Sequence, residues 1–306
     1  MFEPARERQI TCLTIKSKIL SRLFWINPTI RKLNPLLKYI NLQLSFSRYQ
    51  AAVYVYPFRA DRILYKNIKD TDEYLVNFGS GGFYHQLWDN YDYPGASPYY
   101  KYLQGKSGKD FTPIDLSLNN NLPLKSDQVT MIYCAHTIEH LPDAAVEHFI
   151  TECARILKPG GRLRLVYPDF SFDVAKAKLL YEQLGGSDAS FIKQCKYTAV
   201  HMFQPSEEFP DEYIVQSIIN SEFDAEKIFE LLKIKDSDKG RFRPANPEYH
   251  LSFWSHSKLA RLCNGLGFKL YIPELAGQSD VNIFKNTCIF DTTEPQLSSY
   301  GELVKM

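Results

Sequence analysis

The stretch VTMIYCAHTIEHLPDAAVEHFITECARILKPGGRLRLVY, residues 129–167, decides how the chain folds. Val129 to Cys134 is a continuous apolar run, the pattern of a strand buried on both faces of a parallel sheet. Between Pro142 and Lys158 the residues Val146, Phe149, Ile150, Cys153, Ile156 and Leu157 keep the 3.6-residue helical period. Proline stands at the entrance of that segment and Pro159-Gly160-Gly161 after its exit, as helix start and stop signals require. Arg162 to Tyr167 then alternates as a strand. Strand, helix and strand with short joins make a βαβ unit, so an α/β fold with a parallel sheet is expected.

Upstream, Tyr74-Leu75-Val76-Asn77-Phe78 reads as a short strand that stops at Gly79-Ser80-Gly81-Gly82. A second strand ends at Asp92 and a third at Asp115. Downstream, residues 171–249 are mostly helical with breaks near Gly185, Pro205 and Pro244. That is too long for a single crossover and reads as an inserted helical cap. A helix from Ser257 to Leu266, a strand from Phe268 to Ile272 and a last strand around Ile283 to Phe290 complete the pattern. The first sixty residues read as short helices broken at Pro28 and Pro35, then a strand-like run from Ala52 to Tyr56. The expected organisation is a basic helical extension over 1–60 and one domain over 61–306, with 171–249 as its cap.

Bulk properties narrow the function classes. Of 306 residues 44% are hydrophobic and 23% charged, and the net charge of +1 requires no nucleic-acid partner. The six cysteines are scattered, without a Cys-x-x-Cys pair or a Cys/His cluster at zinc-ligand spacing. This predicts reduced thiols and no metal. No apolar run approaches the roughly 20 residues that cross a bilayer, and the start of the chain, with Glu3 and Glu7, lacks the pattern of a secretory signal. A cytoplasmic protein is expected. From Arg8 to Ala60 there is no acidic residue, while Lys16, Lys18, Arg22, Arg31, Lys32, Lys38, Arg48 and Arg59 add positive charge. Such a segment either packs on the main domain or makes peripheral contact with anionic lipid at the inner face of the membrane.

A strand that ends in glycines at the carboxyl edge of a parallel sheet lets a ligand approach its backbone closely. Gly79, Ser80 and Gly81 supply that turn. Asp92 follows the second strand, where a carboxylate can accept both hydroxyl protons of a ribose. Asp115 follows the third, where an acid can meet an adenine amino group. Either aspartate alone reads as a solvated turn residue; together, three strand ends aimed at one crevice make a nucleoside site. The glycine spacing differs from that of a dinucleotide site, which disfavours a nicotinamide-dependent oxidoreductase.

Several pieces, in order, resemble class I methyltransferases of the type 11 group. Val76-Asn77-Phe78-Gly79-Ser80-Gly81-Gly82 with Trp88-Asp89-Asn90-Tyr91-Asp92 is similar to the family's opening. Ile114-Asp115-Leu116 with Leu122-Pro123, and Ala135-His136-Thr137-Ile138-Glu139-His140-Leu141, are similar to its next two elements. Arg155-Ile156-Leu157-Lys158-Pro159-Gly160-Gly161-Arg162-Leu163 is nearly its whole "RvLKPGGrL" signature. Tyr249-His250-Leu251-Ser252-Phe253-Trp254 resembles a later element, and Phe290-Asp291-Thr292-Thr293 with Tyr300-Gly301-Glu302 its close. The resemblance covers roughly residues 70–170 and 246–305. It implies a Rossmann-like seven-stranded, mostly parallel sheet with helices on both faces, and S-adenosylmethionine over the first strand ends. Asn77, Gly79, Ser80, Gly81, Asp92, Asp115, Leu116 and Ala135 would then bind the cofactor. Asn77 stands where many class I enzymes carry an acid, and Ser80 where cysteine is common.

Methyl transfer mainly requires that nucleophile and methyl be held in line. A hydroxyl acceptor also needs a proton acceptor, and histidine suits neutral pH. His136, directly after the fourth strand, is the preferred base; the alternative is a histidine that only supports its loop. His250, at the end of the cap, could reach the acceptor or be a satisfied core residue. Glu139 and His140 read as structural, and His85 reads as a cofactor contact or a solvated residue. Asp169 reads as a helix cap. The aromatic run Phe83, Tyr84, Trp88, Tyr91, Tyr93, Tyr99, Tyr100 and Tyr102 reads mostly as core and loop anchors, with part of it stacking on a ring. The expected activity is methyl transfer to a hydroxyl or amine of a small molecule or a cell-surface glycan precursor, the glycan resting on the company such enzymes keep. The competing class is a non-catalytic scaffold of the same fold.

Overall fold

The structure is a computed structural model and describes residues 13–16, 26–47, 52–57, 64–65, 73–81, 83, 85, 87–95, 111–203, 210–234 and 249–306. Among the features expected from sequence, Lys18, Arg22, Arg48, Arg59, Gly82, Tyr84, Tyr99, Tyr100, Tyr102, Pro205 and Pro244 lie outside the described residues. The chain forms two compact units, one of residues 1–73, 82–84 and 275–296, the other of residues 74–81, 85–274 and 297–306.

In the first unit β1 (Leu13–Lys16), α1 (Ile26–Leu37), β2 (Leu42–Ser47) and β3 (Ala52–Pro57) follow one another. The central β3 pairs antiparallel with both β1 and β2. The extension is therefore not simply helical, and its helix runs through both prolines that were expected to break it. Pro28 sits in the first turn, where an N–H has no helical partner anyway, and Pro35 sits in the last. Asn34 ties α1 to β2 with two bonds, donating to the Leu44 carbonyl at 2.9 Å and accepting the Leu44 N–H at 2.8 Å. Residues 275–296 belong to this unit. There the last expected strand is instead a short 3-10 turn, Asn282–Lys285. Ile283, Phe284, Ile289 and Phe290 are buried, but Lys285, Asn286 and Thr287 interrupt the run and successive amides bond back to nearby carbonyls.

The second unit contains β4 (Leu75–Phe78), β5 (Asp89–Asp92), β6 (Thr112–Pro113), β7 (Val129–Ala135), α2 (Asp143–Ile156) and β8 (Leu157–Pro168). The cap helices α3 (Ser171–Leu184), α4 (Ala189–Phe203), α5 (Asp211–Asn220) and α6 (Ala225–Ile234) come next, then α7 (His256–Cys263), β9 (Phe268–Tyr271) and β10 (Ser298–Lys305). The strands form one seven-stranded sheet in the order β6-β5-β4-β7-β8-β10-β9. Pairs from β6 to β8 are parallel, and β10 runs antiparallel to both neighbours. The chain moves outward from β4 to β6 and returns on the other side of β4 as β7. That reversal opens a crevice at the carboxyl ends of β4 and β7, where open α/β sheets bind ligands.

Strand alternation divides the sheet into two different faces. Val76, Phe78, Ile132, Cys134, Leu163, Leu165 and Leu303 share one core with Val146, Phe149 and Ile150 of α2 and Leu259 and Cys263 of α7. Each such side chain, fully buried, contributes roughly 1.5–3 kcal/mol. Gly301 lies on this face, where an added Cβ would stand 2.6 Å from Leu259 Cδ2. Gly301→Ala is therefore expected to cost about 1–3 kcal/mol in urea unfolding, because Leu259 must leave its rotamer.

The opposite face carries a transverse row of paired residues, Asn90, Asn77, Tyr133, Arg164 and Glu302, all of them buried. Polar side chains inside strands hide the apolar alternation, which is why β10 was not legible. The cap has its own core, in which Phe191, Cys195, Met202, Ile218, Ile228, Phe229 and Leu232 are fully buried. Phe203 stacks on Phe229 at 4.5 Å. No helix of the described residues is long and apolar enough to cross a membrane.

Candidate active site

The turn after β4 is built by glycine and held by β5. Gly79, at φ +67°, donates its N–H to the Tyr91 carbonyl at 2.8 Å. A Cβ there would stand 1.9 Å from Thr137 Oγ1, so only glycine lets the loop after β7 close on this turn. Thr137 is itself fixed by donating to the Ala135 carbonyl at 3.1 Å. Gly81, at φ +49°, has no atom of the described residues, its chain neighbours aside, within 4 Å of where a Cβ would be. Its N–H donates to Asp92 Oδ2 at 2.8 Å, and the Tyr93 N–H donates to Oδ1 at 2.8 Å. The buried Asp92 carboxylate is thus anchored beside the glycine turn. Ser80 is buried in the same turn.

Asp115 takes the N–H and hydroxyl of Ser117 on one oxygen, Oδ1, at 2.9 and 2.6 Å. Asp115 and Leu116 stand in the wall of a cavity of about 260 Å³ together with Ile114, Leu122 and Phe149. The loop that closes this cavity is held from α2. Arg155 donates to the carbonyls of Leu124 at 2.9 Å and Leu122 at 3.2 Å, while Glu152 accepts the Leu122 N–H at 2.7 Å. The Arg155 guanidinium bonded to Glu152 holds that carboxyl below the usual carboxylate range. Sequence reasoning saw Arg155 only as part of a motif and missed Glu152; their work here is to brace the Asp115 loop.

His136 follows β7 in a left-handed conformation, φ +48°, with its N–H bonded to the Val166 carbonyl at 2.8 Å. A non-glycine residue at that φ is uncommon and persists when its surroundings impose it. Its ring lies between two partners. Nε2 is 2.9 Å from Ser298 Oγ, and Nδ1 is 3.2 Å from Glu139 Oε1. The contact with Glu139 is close but too poorly aligned for a directed hydrogen bond. Burial pushes the Glu139 carboxyl up, but the neighbouring His136, His140 and His250 outweigh it and hold the group down at about 2. Ser298 was not singled out from sequence, because it sits in the strand that the sequence hid.

His140 and His250 lie behind this group. The segment after the cap straps the turn after β7. Leu251 and Ser252 donate N–H bonds to the Glu139 carbonyl at 2.6 and 3.1 Å, and Ser252 Oγ donates to the Ile138 carbonyl at 3.0 Å. Trp254 Nε1 donates to Ser252 Oγ at 2.8 Å. His250 is buried with Nδ1 3.1 Å from the Met202 carbonyl. Burial, with His140 beside it, pushes its imidazole down to about 3, so it is neutral.

The remaining residues are placed as follows. Asn77 donates to Asn90 Oδ1 at 3.3 Å across the two strands. His85 is buried, with Nδ1 3.2 Å from the Leu87 N–H. Asp169 accepts the Ser171 N–H at 2.9 Å at the start of α3 and the Ser299 hydroxyl at 3.1 Å. Trp88 packs edge-on to Tyr133 and Tyr91 against Phe78, so these rings are core. Gly79, Ser80, Gly81, Asp92, Ala135 and His136 therefore converge on the ends of β4, β5 and β7.

Residues 94–165 match the family model described as a methyltransferase domain, of the type 11 group. No curated protein matches the chain significantly. Among solved structures it is similar to a SAM-dependent methyltransferase from Aquifex aeolicus, at 11% identity over 92% of this chain and 98% of that one, TM-score 0.34. It is similar to the YcgJ protein from Bacillus subtilis, at 13% identity over 81% and 98%, TM-score 0.37. An S-adenosylmethionine dependent methyltransferase from Mesorhizobium loti is 10% identical over 80% and 98%, TM-score 0.37. Residues 94–165, which carry the match to a methyltransferase domain, lie within the unit that forms the Rossmann-like seven-stranded sheet.

Proposed function

We propose that this chain binds S-adenosylmethionine over the ends of β4 and β5 and transfers its methyl group to a hydroxyl or amine acceptor. The observation that carries this reading is the Gly81–Asp92 pair. The N–H of the glycine turn fixes the carboxylate at 2.8 Å, where, chain neighbours aside, no atom of the described residues lies within 4 Å of the missing Gly81 Cβ. The cofactor would supply a methyl group already activated by its sulfonium. The chain has to orient the acceptor and accept a proton.

His136 is assigned the proton rather than His250, because it is partly exposed at the strand end while His250 is buried and held neutral. Glu139 faces Nδ1 and Ser298 faces Nε2, so Nε2 is the nitrogen assigned to the acceptor's proton. Ser298 Oγ marks where an acceptor hydroxyl would stand, 2.9 Å from Nε2. A small molecule or a cell-surface glycan precursor is the proposed acceptor, on the family resemblance.

Calorimetric titration with S-adenosylmethionine and S-adenosylhomocysteine tests the reading. Saturable binding is expected, weakened about tenfold or more in Asp92→Ala, since a hydrogen bond to a charged group is worth roughly 1.5–3 kcal/mol. Both Asp92 oxygens also serve the backbone, which suits a scaffold equally well. Absence of binding by folded wild-type protein would favour that second reading.

A further inference from the structure

Independently of the cofactor site, we propose that Glu139, His140 and His250 form a binding site for one divalent transition-metal ion of the zinc class. The three residues bring one ligand atom each to within 4.8 Å of one another. Glu139 keeps 2% of its surface, and neither of its fully buried carboxylate oxygens accepts a hydrogen bond. A buried carboxylate without a donor is the feature that most needs an explanation in this unit.

The two histidines are already oriented as metal ligands are. His140 Nδ1 lies 3.2 Å from the Tyr249 carbonyl and His250 Nδ1 3.1 Å from the Met202 carbonyl. A carbonyl only accepts, so each Nδ1 carries the proton and each Nε2 presents a lone pair. Backbone carbonyls holding the far nitrogen of a ligating imidazole are the usual outer shell of a metal site. His140 Nε2 is 3.8 Å from Glu139 Oε1, and the two rings are 4.9 Å apart. Zinc bonds of about 2.0–2.2 Å place tetrahedral ligands roughly 3.4 Å apart, so side-chain shifts on the order of 1 Å close the site.

The donor set selects the class of ion. Two imidazoles and one carboxylate suit zinc, whereas calcium and magnesium want oxygens throughout and copper(I) wants sulfur. The ion would join the turn after β7 to the segment that leaves the cap, reinforcing the bonds from Leu251 and Ser252 to the Glu139 carbonyl. Sequence spacing could not show this, since an adjacent Glu-His pair and a histidine far along the chain form no local motif. The reading of the sequence predicted no metal.

The test is elemental analysis of full-length protein grown with added zinc and purified without metal-affinity steps. About one zinc per chain is expected in the wild type, falling roughly tenfold or more in His250→Gln and in Glu139→Gln. His148→Gln, at a half-buried histidine of α2 whose ring meets the Asn120 carbonyl, should keep its zinc. Cobalt-substituted protein should show the visible bands of a tetrahedral nitrogen and oxygen site, without a thiolate charge-transfer band. Three results would overturn the proposal: folded wild type that holds no zinc even after refolding with it, zinc retained by both ligand variants, or a thiolate band. Wild-type zinc content decides the matter even if a variant fails to fold, and none of these readouts depends on S-adenosylmethionine.

Discussion

Glu302→Ala is expected to lower folding stability by about 3–5 kcal/mol, measured by urea unfolding at neutral pH. Glu302 and Arg164 have 0% exposure and face each other at 3.6 Å, in paired positions of β10 and β8. Arg162 approaches the other carboxylate oxygen at 2.9 Å, and the Arg164 guanidinium lies 4.9 Å from the Tyr300 ring centre. Removing the carboxylate strips two arginines of their counter-charge, one of them in the interior. That guanidinium then keeps its desolvation cost but loses the carboxylate that faces it.

The sign reverses when both members leave together. Arg164→Met with Glu302→Leu is expected to cost little or to stabilise, since a packed apolar pair avoids both desolvation penalties. The double-mutant cycle separates the coupling from the loss of packing. A loss below about 1 kcal/mol in Glu302→Ala would mean that water reaches the pair.

Gly79→Ala is expected to cost about 2–5 kcal/mol and to weaken S-adenosylmethionine binding more than tenfold. Two causes add. The left-handed conformation at φ +67° costs a non-glycine residue roughly 1–2 kcal/mol, and the new Cβ would meet Thr137 Oγ1 at 1.9 Å, forcing an overpacking cost of about 1–3 kcal/mol. The loop after β7 must then withdraw, and His136 and Glu139 move with it.

Thr137→Ala in the same chain should restore part of the stability. It removes Oγ1 and Cγ2, but the Thr137 Cβ would still stand 2.8 Å away. A coupling on the order of 1 kcal/mol is therefore expected between the two substitutions. Additive effects, with cofactor binding intact, would show that the turn does not set the pocket.

Local pattern carried the central part of this protein. Val129 to Tyr167 announced β7, α2 and β8 because one side chain in two, or in 3.6, meets the same neighbour, and that period is written in the chain itself. The glycine turn and Asp92 were legible for a related reason. A strand end and the turn after it are short-range objects, so residue type and position determine what they present. The helical cap was legible as well, since α3 to α6 bury one face each in a core of their own.

What the tertiary structure alone decided is everything that depends on residues distant in sequence standing side by side. β10 was hidden because Glu302 and Gly301 look wrong for a buried strand until Arg164 and Leu259 are seen opposite them. Of the first sixty residues, the run Ala52 to Tyr56 shows as a strand, whereas β1 and β2 read as helix because their pairing with β3 leaves no local period. Ser298 beside His136, and His250 beside Glu139 and His140, came from loops of the sheet that meet only when β10 and the strap after the cap are in place. Hydrogen bonds and metal geometry act over a few ångströms of space, and no spacing along the chain records which strand ends will share that space.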